Sequence, residues 1–186
     1  MNFAEYNVKD ANLEEILLAL KSIDTVEAVA LGGSRSTGAS DENSDYDIYV
    51  YCAEIPTAET RENLLGKYCS IAEFGNHYWE SEDNTVMNNG VPVDIIYREV
   101  DNFGRYIDTV IKGGKAFNGY TTAFWHNIKN SKVLFDKTGT FTKFRDMAQI
   151  DYQFFLFSNF QNPFCTVIST SRCIKYPATV IKRHQD

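Results

Sequence analysis

The chain has 186 residues, of which 44% are hydrophobic and 23% charged, a composition typical of a globular domain and not of a disordered segment. Its formal net charge of −7 argues against a surface that grips a nucleic-acid backbone, so we do not expect nucleic acid as a partner. No apolar run approaches the roughly 20 residues needed to span a bilayer, the N-terminus has no signal-peptide pattern, and the four cysteines are scattered. We therefore expect a cytoplasmic protein with reduced thiols and no membrane contact.

Two helices and two strands are predicted in the first half of the chain. Apolar residues at helical spacing predict a helix over 12–22. A run rich in Val and Ala predicts a strand over 25–31, and β-branched and aromatic residues predict another over 44–52. A longer helix is predicted over 56–74, because a proline and a threonine suit its start and leucines suit a buried face.

The second half of the chain predicts a hairpin, a helix and a short strand. The Asn89-Gly90 pair between alternating segments predicts a hairpin over 84–98. Residues 99–114 predict a helix, and residues 126–144 contain a short apolar run, a turn and the start of a further helix. Mixed strands and helices of this kind predict an α/β (α+β) sheet domain over residues 1–150.

Residues 151–186 differ from the rest, because they contain two prolines and follow neither a helical nor a strand period. We interpret them as a C-terminal tail. Two interpretations stay open: an irregular segment that wraps the domain, or a truncated helical extension whose packing partner is absent from this chain.

Two aspartates, Asp45 and Asp47, stand one residue apart in the second strand, where acidic residues are normally depleted. Side chains alternate along a strand, so both carboxylates point to one face together with Tyr49. Neighbouring carboxylates repel unless a cation lies between them, and Mg²⁺ is held by one or two carboxylates plus substrate phosphates. The alternative is a solvated edge strand whose acidic residues discourage aggregation.

The loop before that strand, "LGGSRSTG", has the features of a phosphate-binding turn. Gly33 allows close approach of the backbone to a ligand, and amides near Ser34 and Arg35 can donate to phosphate oxygens. The GK[ST] ending of a Walker A loop is missing, and so is the GxGxxG pattern of dinucleotide-binding turns. Taken alone, the loop is a weak signal, and a tight strand-exit turn explains it better than a phosphate site.

A third carboxylate, Asp94, stands in the apolar run "VPVDIIYR", where its neighbours Val93 and Ile95 point to the opposite face. An acidic residue in such a strand should be paired, protonated or bound to a metal. The alternative is a single solvent-facing residue on an edge strand.

The stretch "GGSRSTGASDENSDYDIYV" resembles the GSR-x-x-G-x-x-x-x-x-SD-x-D signature of small bacterial nucleotidyltransferases in the DNA polymerase β superfamily, which include antibiotic adenylyltransferases. The residues that fall on the signature are Gly33, Ser34, Arg35, Gly38, Ser44, Asp45 and Asp47. Asp94 extends the resemblance, and "KVLFDKTG" at 132–139 is similar to a segment before the C-terminal helical domain of larger relatives. The resemblance implies a small twisted mixed sheet flanked by helices.

The resemblance also implies a site. Gly33 and Ser34, with Arg35 and Ser44, would bind the nucleotide, while Asp45, Asp47 and Asp94 would be catalytic and hold two Mg²⁺ ions. Arg35 has a second interpretation, as an ion-pair partner of an acidic residue in the following loop.

The implied reaction transfers a nucleoside monophosphate, AMP from ATP, to a hydroxyl of a small molecule or a protein and releases pyrophosphate. Its partners would be a nucleoside triphosphate and an unidentified hydroxyl acceptor. The main alternative is a binding module of the same fold that acts as an antitoxin with a helical protein partner. Two weaker alternatives are a degenerate nucleotide-binding member and a nuclease or phosphatase with the same carboxylates.

Overall fold

Helices and strands alternate along most of the chain. The computed structural model describes residues 10–38, 44–77, 80–111 and 121–149. In chain order the elements are α1 (Ala11–Lys21), β1 (Val26–Leu31), α2 (Gly33–Thr37), β2 (Tyr46–Cys52), α3 (Ala58–Leu65), a short 3₁₀ turn (Gly66–Tyr68), β3 (Cys69–Asn76), β4 (Ser81–Met87), β5 (Pro92–Glu99), α4 (Val100–Ile111), α5 (Thr121–Asn130), β6 (Lys132–Asp136) and α6 (Thr140–Met147).

The strands form one six-stranded mixed sheet in the order β3-β4-β5-β2-β1-β6. The β2–β5 pair is parallel, whereas the other four neighbouring pairs are antiparallel. The predicted fold class, a small mixed sheet flanked by helices, is therefore confirmed. The parallel pair lies at the centre of the sheet, so the residues at the start of β2 and of β5 are neighbours in space.

Helices cover both faces of the sheet. On one face, α1 and α3 pack on alternate residues of the central strands, and Leu17, Ile48 and Ile95 are fully buried there. On the other face, α4, α5 and α6 enclose a second core around Tyr51, with Trp125 almost completely buried. Because both cores are anchored on β1 and β2, the central strands are held from both sides, as close-packed interiors require.

The prediction of a single helix over 56–74 is wrong for the second half of that range. The helix begins after the cap residue Thr57 and ends at Leu65, and residues 69–76 form the edge strand β3 instead. The helix tightens into the 3₁₀ turn at Gly66–Tyr68, the backbone becomes extended at Cys69, and β3 then pairs antiparallel with β4, from Cys69 opposite Met87 to Asn76 opposite Glu82. The hydrogen bonds of this pairing outweigh the local helical preference.

The other predicted elements are confirmed within the described residues. The strand and helix in 126–144 appear as β6 and α6, but α5, which precedes them, was not predicted. The predicted helix over 99–114 is α4, and its last three residues lie outside the described residues. The predicted tail, residues 151–186, also lies outside them, so that assignment stays a prediction.

A buried ion pair joins α3 to the outer half of the sheet. The Nη1 atom of Arg61 lies 3.1 Å from Oδ1 of Asp83, and the two side chains are 2% and 0% exposed. The guanidinium also stacks on the ring of Tyr97 at 4.4 Å, and the amide of Gly75 in β3 donates to the same Asp83 oxygen. One carboxylate thus ties α3, β3 and β4 together.

No helix among the described residues is long and apolar enough to cross a membrane. Cys52 and Cys69 are both free thiols.

Arg61→Leu is expected to destabilise the protein by about 3–5 kcal/mol, because removal of one partner leaves the buried Asp83 carboxylate uncompensated. Urea denaturation measures the loss. Arg105→Leu, at an exposed position on α4, is the control and should change stability by less than about 0.5 kcal/mol. Equal stabilities of the two variants would contradict this role for the ion pair.

Candidate active site

The chain leaves β1 through two glycines that bring the backbone against β2. The amide of Gly32 donates to the carbonyl oxygen of Asp47 at 2.8 Å. Gly33 has φ +59°, and a Cβ atom built on it would lie 1.7 Å from Oδ2 of Asp47. Glycine is therefore required at position 33 both by its backbone conformation and by the carboxylate that lies against it.

The two glycines are followed by a single turn of helix, α2. The Ser36 amide donates to the carbonyl of Gly32, and the Ser36 hydroxyl donates to the carbonyl of Gly33 at 2.8 Å. Gly38 ends the turn with φ +77°. These bonds fix the position of Gly33 and Ser34 beside Asp47.

Asp47 and Asp94 lie directly opposite each other on the parallel strands β2 and β5. Paired residues of neighbouring strands point to the same face and are about 5 Å apart at their backbones. Asp45 precedes Asp47 by two residues, and the charges of both Asp45 and Asp94 act on the Asp47 carboxylate. The structure thus brings the three predicted carboxylates to one edge of the sheet face, next to Gly33.

The electrostatics of this cluster are unfavourable for a bare carboxylate. Burial, and after it the negative charges of Asp45 and Asp94, together raise the pKa of Asp47 from 3.8 to about 6. A cation would relieve the repulsion and lower this pKa.

Asp94 is oriented by a chain of amides from the outer strands. Asn84, opposite it on β4, donates from Nδ2 to Oδ1 of Asp94 at 2.9 Å. Asn76 on β3 in turn donates to Oδ1 of Asn84 at 2.7 Å. The carboxylate is therefore held in one orientation by neutral donors.

Arg35 and Ser44 meet in a contact that fixes the start of β2. The Nε atom of Arg35 donates to the carbonyl oxygens of Ser44 and Asp45, each at 2.9 Å, and Nη2 donates to Ser44 as well. The guanidinium stacks on the Tyr46 ring at 4.0 Å. Arg35 thus positions the backbone that carries Asp45, and its predicted contact with nucleotide stays a prediction. Its alternative acidic partners in the loop at 41–42 lie outside the described residues.

The donor set suits a hard divalent cation shared with a ligand. Within the described ranges, no three Asp, Glu, His or Cys side chains are spaced to hold one ion by themselves. Mg²⁺ needs only one or two protein carboxylates when phosphate oxygens and water complete its shell. The crowded negative charge around Asp47, beside a glycine turn whose backbone lies against that carboxylate, fits such a shared site.

A cleft of about 190 Å³ lies beside the glycine turn, between α2 and α5. Gly33 and Ser34 line it from α2, and His126 and Asn127 line it from α5. Asn127 donates to the hydroxyl of Tyr49 at 2.9 Å. Burial raises the pKa of Tyr49 to about 12, so this phenol stays neutral at physiological pH.

Tyr49 connects the cleft to a buried arginine. Its ring lies 4.3 Å from the guanidinium of Arg98, which forms a two-pronged ion pair with Glu80 at 2.8 and 2.9 Å. Arg98 also donates to the hydroxyl of Tyr51 at 3.2 Å. The tyrosine on the same face as Asp45 and Asp47 is therefore held rigidly.

Sequence reasoning missed the residues that the sheet and α5 bring to the site. The role of Asn84 in orienting Asp94 is visible only when the two residues are known to pair across β4 and β5. The contact of Asn127 with Tyr49 is visible only when α5 is known to pack against α2.

A family model for the nucleotidyltransferase domain matches residues 13–117, more than half of the chain. This chain belongs to the nucleotidyltransferase domain family. The match includes the glycine turn and all three aspartates, so the resemblance inferred from the signature is confirmed at the level of the family.

Two solved structures are similar to this nucleotidyltransferase domain protein in fold. A toxin–antitoxin structure with AMP-PNP is 19% identical, with a TM-score of 0.44 over 80% of this chain and 92% of that chain. A mutant of the toxin–antitoxin MntA–HpeT is 16% identical, with a TM-score of 0.43 over 82% of this chain and 94% of that chain. Likeness at this level says nothing of substrate or partner. No curated protein is significantly similar in sequence.

Gly33→Ala is expected to destabilise the protein by more than the roughly 1–3 kcal/mol that a left-handed backbone costs a non-glycine residue, because the new methyl group would also displace Asp47. Gly38→Ala is the matched control, since Gly38 has the same sign of φ and open space at its Cβ position. Urea denaturation compares the two variants. Equal losses would mean that contact with Asp47 does not determine the residue at position 33.

Asp47→Asn is expected to stabilise the metal-free protein at about pH 8 and to have no effect near pH 4. The folded-state pKa of Asp47 lies above its ordinary value, so ionisation above pH 6 costs folding free energy, and that cost disappears as the pH falls through the ordinary value. The gain should be about 1–2 kcal/mol, because solvent screens a partly exposed group. Thermal unfolding between these pH values measures it. A pH-independent difference, or a loss at high pH, would refute the repulsion.

Proposed function

We propose that the protein is a metal-dependent nucleotidyltransferase that moves a nucleoside monophosphate, AMP from ATP, to a hydroxyl of a small molecule or a protein. The observation that supports this most strongly is the placement of Asp47 opposite Asp94 on β2 and β5, with the Gly33 turn against the Asp47 carboxylate. A structural acidic pair on a sheet has no need for a glycine turn held in that position.

In the proposed reaction, the acceptor oxygen forms a bond to the α-phosphorus while the bond to the bridging oxygen breaks and pyrophosphate leaves. The hydroxyl proton must be removed, and Asp94 is the candidate base. Its Oδ1 atom is already bound by Asn84, so Oδ2 is the atom that would accept the proton. Gly33 and Ser34 would bind the phosphates, and Ser44 and Arg35 would hold the loop from which Asp45 projects.

Asp45 and Asp47 would hold one Mg²⁺ on the triphosphate, and with Asp94 a second near the acceptor; such ions supply charge neutralisation at the α-phosphate and lower the pKa of the acceptor hydroxyl. Most of the catalytic effect then comes from orientation and electrostatics. Asp47 and Asp94 lie on central strands packed from both faces, so the positions of these two carboxylates are set before any ligand arrives, and Asp45 directly precedes β2.

The alternative proposal is a module of the same fold that acts as an antitoxin with a helical protein. Such a module needs a surface for its protein partner and does not need turnover, so pyrophosphate release distinguishes it from the enzyme proposal.

We expect the protein to release pyrophosphate from ATP in the presence of Mg²⁺ and a pool of hydroxyl acceptors. Asp45→Asn, Asp47→Asn and Asp94→Asn should each lower the rate by about a hundredfold or more, because each removes a charge that serves the metal–phosphate site. A coupled pyrophosphate assay with each of the four nucleoside triphosphates measures the rate.

Asp24→Asn, at an exposed position before β1, is the control and should retain full activity. Absence of pyrophosphate with every triphosphate would favour the binding module. Activity that survives all three substitutions would exclude these carboxylates as the catalytic groups.

A further inference from the structure

Gly32, the first residue of the glycine turn, is glycine for a different reason from Gly33. Its φ of −103° lies outside the left-handed region, so its backbone conformation does not require glycine. A Cβ atom at this position would lie 2.3 Å from Cε2 and 3.0 Å from Cδ2 of Tyr49. The ring of Tyr49 therefore occupies the space that a side chain at position 32 would need, and Gly32 is buried.

The turn lies against two side chains that β2 presents on one face. Asp47 and Tyr49 are two residues apart, so they share that face, and Gly33 lies against the carboxylate while Gly32 lies against the ring. The residue opposite Tyr49 on β1 is Ala30, whose small side chain leaves room for the ring. Because the two glycines have no side chains, these two residues of β2 set the distance between the turn and the sheet.

The Tyr49 ring is itself fixed from two sides. It lies 4.3 Å from the guanidinium of Arg98, which Glu80 holds through two hydrogen bonds. Its hydroxyl accepts a hydrogen bond from Asn127 at 2.9 Å. A phenylalanine would fill the same space without this second contact, so the hydroxyl adds a link between β2 and α5.

This link joins the turn to a part of the chain outside the matched domain. Asn127 lies on α5 (Thr121–Asn130), whereas the family model matches residues 13–117. The position of the turn thus depends on an element that follows the domain. A displacement of about 1 Å at a catalytic site can cost roughly a hundredfold in rate, so such a contact has functional weight.

We propose that Tyr49 is a positioning residue of the transferase site: its ring sets the distance of the Gly32–Gly33 backbone from the sheet, and its hydrogen bond to Asn127 makes that distance depend on α5. Tyr49 acts through Gly32 and contacts no reacting group. The inference rests on the proposed function, because the turn that it positions is the one that would bind the triphosphate.

Steady-state kinetics of the full chain test the inference, with Mg²⁺ and the triphosphate that gives the highest rate in the pyrophosphate assay. Tyr49→Val removes the ring and should raise KM for the triphosphate about tenfold. Tyr49→Phe and Asn127→Ala each remove only the hydrogen bond, so each should raise KM about threefold, and the double variant no further. Tyr68→Phe, in the 3₁₀ turn beside β3, is the control and should leave KM unchanged.

A second pair of variants tests the contact between the ring and the turn. Gly32→Ala should raise KM about tenfold or more and lower the urea midpoint, because the new methyl group meets the ring. In the Tyr49→Val background the same substitution should have little further effect, since the ring is gone. Gly66→Ala is the matched control, because Gly66 also has a negative φ, −56°, and open space at its Cβ position.

All variants are assayed at a temperature at which circular dichroism shows them folded. A ring that served only the stability of the fold would lower the active fraction, so a fall in kcat with KM unchanged would overturn the inference. Additive effects of Gly32→Ala and Tyr49→Val would overturn it as well. In both cases the proposed function would stand, because wild type is active. If wild type releases no pyrophosphate from any triphosphate, the proposed function fails and the inference fails with it.

Discussion

Electrostatic repulsion between Asp47 and its acidic neighbours is the constraint on which the rest of the structure depends. Burial is the largest contribution to the cost of ionising Asp47, and the charges of Asp45, two residues away, and of Asp94, which faces Asp47 across the parallel β2–β5 pair, add to that cost. A protein without use for these charges would gain stability by replacing one of them. The backbone of the glycine turn lies against the Asp47 carboxylate, so we interpret the unfavourable charge at Asp47 as a functional feature of the site.

The fold supplies the rigidity that such a site needs. Both faces of β1 and β2 are buried under helices, so the strand that leads into the glycine turn and the strand that carries Asp47 are held in place. Arg35 clamps the entry to β2, Asn84 orients Asp94, and Arg98 holds Tyr49. Each of these contacts restricts the movement of a group that the proposed function uses. Contacts of this kind preorganise a catalytic arrangement, in which unfavourable charge lowers stability.

Local patterns in the sequence were sufficient for the strands that carry the site, because alternation along β2 and β5 determines which residues share a face. The signature over the glycine turn and the first two aspartates then indicated the family, and the family resemblance predicted that these residues form one site with Asp94. Pairing between distant strands was not predictable in the same way. Residues 69–76 form β3 because they pair with β4, and the helical pattern of the preceding segment does not indicate where the helix ends. Asn127 was missed for a related reason, since its contact with Tyr49 depends on the packing of α5 beside α2.

The most direct test of the account is the pKa of the Asp47 side-chain carboxyl, measured by NMR in the absence and presence of Mg²⁺ with a non-cleavable ATP analogue. The account predicts a pKa of about 6 in the metal-free protein and a fall below the ordinary value of 3.8 when metal and nucleotide bind. An ordinary pKa in the metal-free protein, unaffected by metal and nucleotide, would contradict it.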